Sequence, residues 1–106
     1  MALRCLSQIA LASATDTELV GGSLVTPLKI TSVWICNRAA VVATVRIWLK
    51  LQNEADGNKQ YLLYEYPINP SDSPSVFETS GIGMLPGDVL KGRASTANIS
   101  MSVFGE

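Results

Sequence analysis

Residues 29–51 read KITSVWICNRAAVVATVRIWLKL, and the assignment of this stretch decides the fold. Val45, Ile47, Leu49 and Leu51 alternate with Thr44, Arg46, Trp48 and Lys50, the two-residue period of a strand with one face on a core. The arm before it carries Ile30, Thr31, Val33, Trp34 and Ile35, an apolar and β-branched set that suits a central strand covered on both faces. A helix is the rival assignment. Val, Ile, Thr and Trp are weak helix formers, however, and an apolar set spaced by two makes no single helical stripe. The two arms therefore read as a β-hairpin that turns at Asn37-Arg38-Ala39-Ala40. Trp34 shares a parity with Ile30 and Cys36, which predicts a core position for its ring.

Working outward, Leu3 to Ala12 favours a strand or an extended arm, although Leu3, Leu6 and Ile9 also suit a helical face, and Ala14 to Glu18 is polar. Gly21-Gly22 breaks the chain, and Pro27 implies an edge or a turn, so the first core strand begins near Leu28. On the other side, QNEADGNKQ (52–60) reads as a solvated loop and YLLYEYPI (61–68) as a strand suited to pair with the arm before it. Residues 69–74, with two prolines, form a loop, and Ser75 to Thr79 a short strand. Gly81 to Asp88 reads as a loop ending in a tight turn, with Pro86 and Gly87 in the central positions of type II. Val89 to Ala94 and Ile99 to Phe104 then form a terminal hairpin around 95–98. Short strands at regular spacing predict an all-β fold, a single antiparallel β-sandwich or barrel, jelly-roll-like. Residues 1–106 form one domain, with 1–14 a candidate N-terminal strand or arm.

The hydrophobic fraction of 47% and charged fraction of 16% are those of a folded chain. A net charge of −1 with only 8 Lys and Arg leaves little repulsion between copies and no concentrated basic patch, which favours self-association and disfavours nucleic acid as a partner. No apolar run approaches the length of a membrane span. The opening MALRCLSQIALASA imitates a secretion signal, but Ser7 and Gln8 interrupt its apolar middle. Cys5 and Cys36 are expected to pack as small buried groups; a bridge between them requires the first strand to lie beside the central one.

With no histidine, the usual general base and commonest metal ligand are both missing. Glu54 and Asp56 fall in the polar loop, Glu65 can pair with Arg46 or Lys50 across adjacent strands, and Asp88 suits a turn-stabilising carboxylate. Gly81-Ile82-Gly83 lacks the context of a phosphate loop, and neither cysteine has a basic neighbour to activate it. No catalytic residue, cofactor or metal ligand is expected. The candidate residues are instead those of a protein interface: Trp48 flanked by Arg46 and Lys50, Tyr61, and Leu3 and Leu6 in the N-terminal segment. Trp48 is either an interface anchor or a cover for a neighbouring strand or loop. Tyr61, Tyr64 and Tyr66 also admit stacking on a carbohydrate.

Four segments carry a resemblance to a known family: LASATDTELV, ITSVWICNRAAVVATVRIWL, KQYLLYEYPI and LPGDVLKGRASTANISMSVFGE. Together they resemble small virion proteins encoded among the structural genes of tailed bacteriophages, across nearly the whole chain. GGSLVTPLKI departs from the Tyr-x-Val-Pro-Ala segment usual there, which puts the strand before the central pair in doubt. The resemblance implies a non-enzymatic assembly part: a capsid decoration (cement) protein, or a tail, collar or fibre component. It implies a location in the virion, assembled in the host cytoplasm. The expected partners are the major capsid protein or another virion protein, and further copies of the chain in a homotrimer or similar closed oligomer, with residues 1–14 as an arm reaching a neighbour.

Overall fold

The computed structural model describes residues 4–21, 26–77 and 81–106. Among the described residues nine strands follow one another: β1 (Arg4–Leu11), β2 (Thr17–Val20), β3 (Leu28–Asn37), β4 (Ala43–Lys50), β5 (Tyr61–Ile68), β6 (Ser75–Val76), β7 (Ile82–Met84), β8 (Val89–Ala94) and β9 (Ile99–Gly105). They form two antiparallel sheets, one ordered β1-β9-β3-β6 with β7 also on β3, the other β2-β8-β4-β5. With β6 and β7 counted as one interrupted strand, this is the order of a jelly roll, the expected β-sandwich. The core between the sheets is built from alternate residues of the long strands. Val33 and Ile35 face Val45 and Ile47, and Met101, Val103, Leu90, Ile68 and Leu11 complete it.

Strand identity in the central stretch is as the alternation predicts, but the hairpin is not formed. β3 pairs with β9, β6 and β7, whereas β4 pairs with β5 and β8 in the opposite sheet. The turn after Asn37 is therefore an arch between sheets. The terminal pair follows the same rule, since β8 and β9 also lie in different sheets. Two-residue alternation reports which face of a strand is buried and carries nothing about which strand lies beside it.

Asn37 closes the arch. It is fully buried, and its Nδ2 donates to the carbonyls of Val41 (3.0 Å) and Ile68 (2.9 Å), while Oδ1 accepts from Ala39 N–H (2.8 Å). Its backbone N–H donates to Asp72 and its carbonyl accepts from Ser71 N–H. One side chain thus joins the end of β3, the arch and the end of β5.

A bulge at Thr31 corrects the second expectation. Ile30 pairs with Gly105 and Ser32 with Phe104, so Thr31 is an extra residue and the parity of β3 inverts across it. Ile30 is buried, but beyond the bulge Val33 and Ile35 take the inward positions and Trp34 points out, 46% exposed. β3 is central in its sheet, yet its outer face is open. Gly105 allows the close approach at this bulge, because a Cβ there would stand 2.2 Å from the Lys29 carbonyl oxygen.

Two smaller corrections follow. Thr17–Val20, within and after the polar segment, form β2 and bury Leu19 beside Gly92. Ile82–Met84, read as loop, pair with Leu28–Ile30. The 52–60 loop is solvated as expected, exposed at most of its positions, and ends in a 3-10 turn at Asn58–Gln60 with Gln60 buried. Leu85 to Asp88 make the expected tight turn, with Gly87 at φ 96° and Asp88 N–H on the Leu85 carbonyl (3.0 Å). The buried Asp88 carboxylate accepts N–H bonds from Leu85 and Gln52.

Two stability predictions follow. Asn37→Ala orphans three backbone groups at once and is expected to cost about 2–4 kcal/mol in urea unfolding, far more than a surface Asn→Ala change. Ser7 has the opposite sign: its Oγ is buried without a hydrogen-bond partner among the described residues. Ser7→Ala is therefore expected to raise stability by about 1 kcal/mol by removing an uncompensated desolvated hydroxyl, and a drop in the midpoint would refute that account.

Candidate functional site

The two outer faces of the sandwich have opposite chemistry. On the β2-β8-β4-β5 sheet, Arg46 faces a second bulge. Val45 pairs with Tyr66 and Ile47 with Leu63, so both Tyr64 and Glu65 stand opposite the single Arg46. Glu65 takes φ 52°, a left-handed conformation that costs energy in a non-glycine residue. In return both side chains converge on one guanidinium. Arg46 Nε donates to Glu65 Oε1 at 2.9 Å, Nη2 donates to the same oxygen, and the guanidinium lies 4.6 Å from the Tyr64 ring centroid. Tyr64 meets Tyr61 edge-to-face at 4.9 Å and Tyr61 meets Trp48 at 5.5 Å. A planar, forked cation suits this double contact, which a lysine ammonium could not make.

The same face is laced with ion pairs. Arg93 lies directly opposite Arg46 across β4 and β8, an arrangement of like charges that needs a carboxylate for each. Glu65 serves Arg46, and Asp16 accepts from Arg93 at 2.9 Å. Asp56 accepts from Lys91 Nζ at 3.1 Å and from Trp48 Nε1 at 3.3 Å. This places the 52–60 loop over the Trp48 ring, which is 3% exposed. Lys59 pairs with Glu54 at 2.8 Å. Hydrogen bonding to Lys91 and then Trp48 holds the Asp56 carboxyl below its ordinary pKa; Arg46 does the same for Glu65, and Lys59 with Gln60 for Glu54. Arg46 is raised in turn by Glu65. A shallow depression of about 230 Å³ lies between Arg46, Glu65, Arg93, Thr44 and Ser95. Both its guanidiniums are already matched by carboxylates.

The outer face of the other sheet is uncharged over its middle, with Lys29 at one end. Cross-strand partners share a face, so the register gives three rows: Ala10–Ser100–Cys36, Gln8–Ser102–Trp34–Ser75 and Cys5–Phe104–Ser32. None of these residues carries a formal charge. Arg4 and Lys29 lie beyond one end. Trp34 occupies the middle, surrounded by serines, and Gln8 Nε2 donates to Ser102 Oγ at 3.4 Å.

The sequence-derived interface residues divide between these faces. Arg46, Trp48 and Tyr61 come together on the charged face, with Lys50 further along β4. Trp48 takes the covering role rather than an exposed one, under the loop and against Tyr61. Leu6 belongs to the other sheet, as the extra residue of a bulge in β1, and packs against the core. Leu3 lies outside the described residues. Arg4–Leu11 pair with β9 of the same chain rather than forming a free arm. The uncharged face was missed because the Thr31 bulge is invisible to parity; the alternating serines of β9 were the available signal. Cys5 is exposed rather than buried, and both cysteines are free. They flank β9 opposite Phe104 and Ser100, so two strand spacings and four residues separate them by about 16 Å, well beyond disulfide range.

Among the described residues no three Cys, Asp or Glu side chains are grouped as metal ligands. Comparison with protein-family models, with curated proteins and with solved structures returns no match for this chain.

The charged face sets a pH dependence. Glu54, Asp56 and Glu65 all have native pKa values below their ordinary ones, so their contribution is complete above the ordinary carboxylate range and is lost as pH falls through the depressed native values. With no histidine, the unfolding midpoint is expected to be flat between about pH 5.5 and 7.5 and to decline below about pH 4.5. In an Asp56→Asn variant the acid decline should be shallower, as read by thermal melts across the series.

Proposed function

We propose that this chain is a non-enzymatic structural protein of a tailed-phage virion, a capsid decoration (cement) protein that docks through the uncharged outer face of its β1-β9-β3-β6 sheet as a closed homo-oligomer. The observation that carries this reading is the contrast between faces. The three middle cross-strand rows on one sheet lack charge, with Arg4 and Lys29 at one end, while Arg46, Lys91 and Arg93 on the other sheet are each held in an ion pair. A face without charges can be dried at low cost, because no ion loses its hydration. Its composition suits contact as well. Trp34 offers a large rigid surface, and the serines around it adapt their hydroxyls while losing little side-chain entropy. Burying such area gains roughly 25 cal/mol per Å² of apolar surface before association costs.

The virion assignment draws on the sequence resemblance, and the partner it implies is the major capsid protein or another virion protein. The fold by itself is neutral, since jelly rolls serve capsids and lectins alike. A tail, collar or fibre component that binds carbohydrate is the second reading, favoured by Tyr64, which is 60% exposed. One face of that ring already carries the Arg46 guanidinium, which leaves a single face for a sugar. Nucleic acid fits poorly, because Arg46, Lys59, Lys91 and Arg93 are each matched by a carboxylate.

The test is direct. Virions purified from the host that carries the gene are expected to contain the chain in many copies, by mass spectrometry and by density on the particle. Trp34→Lys should abolish incorporation without unfolding the domain, since Trp34 is nearly half exposed, whereas Tyr64→Ala should incorporate normally. Absence of the chain from particles would overturn the proposal; loss with Tyr64→Ala but not Trp34→Lys would favour the carbohydrate-binding reading.

A further inference from the structure

We infer that the β1 edge is the self-association surface of this protein: two copies join β1 to β1, antiparallel about a two-fold axis, and extend the β1-β9-β3-β6 sheet across the joint. The inference deepens the self-association in the proposed function and rests on that part of it.

An open sheet edge is a template for another strand, and proteins that stay apart blunt theirs with shortness, proline, bulges or charge. Three of the four sheet borders here are blunted in these ways. The β6 and β7 border consists of strands of two and three residues. β5 carries Pro67, two register shifts and Glu65 in a left-handed conformation. β2 is four residues long, is bulged and carries Glu18, with the Asp16–Arg93 ion pair beside it. β1 is different. It has eight residues and no proline; its one charge, Arg4, and its one bulge, at Leu6, lie at its N-terminal end, and from Ser7 to Leu11 it is uncharged and pairs regularly with β9.

Side-chain burial supports the same conclusion. Ile9 lies opposite the fully buried Met101, and Ile9 and Leu6 both pack on the core, yet each remains partly exposed, with no strand beyond β1 among the described residues. A strand added there would cover both. The occupant that fits is a second copy. Antiparallel pairing of the uncharged 7–11 stretch with itself sets no charge against another, and antiparallel ladders are the more stable kind. A two-fold arrangement also consumes both β1 edges and closes the assembly, whereas a head-to-tail contact between copies leaves an edge open to further growth. The net charge of −1 puts little repulsion between the copies.

The experiment uses the full chain in solution. Sedimentation equilibrium is expected to give a reversible dimer, and the edge amides of β1 should exchange more slowly at concentrations above the dissociation constant than below it. Gln8→Lys with Ala10→Lys places four ammonium groups at the joint from positions already exposed in one copy, and is expected to weaken the dimer at least ~100-fold with an unchanged circular dichroism spectrum. Trp34→Lys, away from the edge, should leave the dimer intact. A monomer at all concentrations, a trimer, or a dimer that survives the two lysines would overturn the inference. A dimer absent from virions would instead overturn only the virion assignment, and a chain found in virions without a β1-mediated dimer would overturn only the edge pairing.

Discussion

The hydrogen bonds of Asn37 are the constraint on which the arrangement of the two sheets depends. A chain leaving one sheet for the other exposes backbone groups that no ladder satisfies, and buried groups of this kind must find partners. Here one amide supplies two donors and an acceptor to the arch and to the end of β5, while the backbone of the same residue holds the 69–72 loop. Core packing could be met by many pairings of apolar strands. The buried Asn37 network is satisfied when β3 and β4 lie in opposite sheets with β5 beside β4, so a polar group selects among arrangements that hydrophobic burial leaves nearly equal.

Bulges then distribute chemistry between the faces. The extra residue at Thr31 turns Trp34 outward, and the extra residue in β5 brings Tyr64 and Glu65 onto Arg46. In both places one additional residue changes which side chains meet, without altering which strands pair. The result is a sandwich with one face bound up in its own ion pairs and rings, and another whose middle has no charge to hold water. That asymmetry is a physical basis for orientation: a molecule so built is wetted on one side and dried on the other when it meets a larger surface.

Trp48 and Trp34 illustrate the distance between composition and position. Both lie on strands, both project from an outer face, and their surroundings are opposite. Trp48 is roofed by the 52–60 loop through Asp56 and by Tyr61, and Trp34 stands open among serines. Nothing within a few residues of either tryptophan distinguishes the two, because the roof over Trp48 is made by a loop that folds back and by a neighbouring strand.

The amino-acid sequence alone determined the all-β class, the strand character of β3, β4, β5, β8 and β9, the Pro86-Gly87 turn with Asp88 as its anchor, and a cross-strand cation for Glu65, Arg46 or Lys50. These depend on alternation, on turn chemistry or on residues in adjacent strands, all of which are local. The tertiary structure alone decided that β3 and β4 part into different sheets, that Trp34 faces outward, that β2 and β7 are strands, and that Cys5 and Cys36 stay apart. Each of those depends on a bulge or a cross-sheet connection. A single inserted residue inverts the two-residue period beyond it, and the partner of a strand is chosen by contacts far away in the chain.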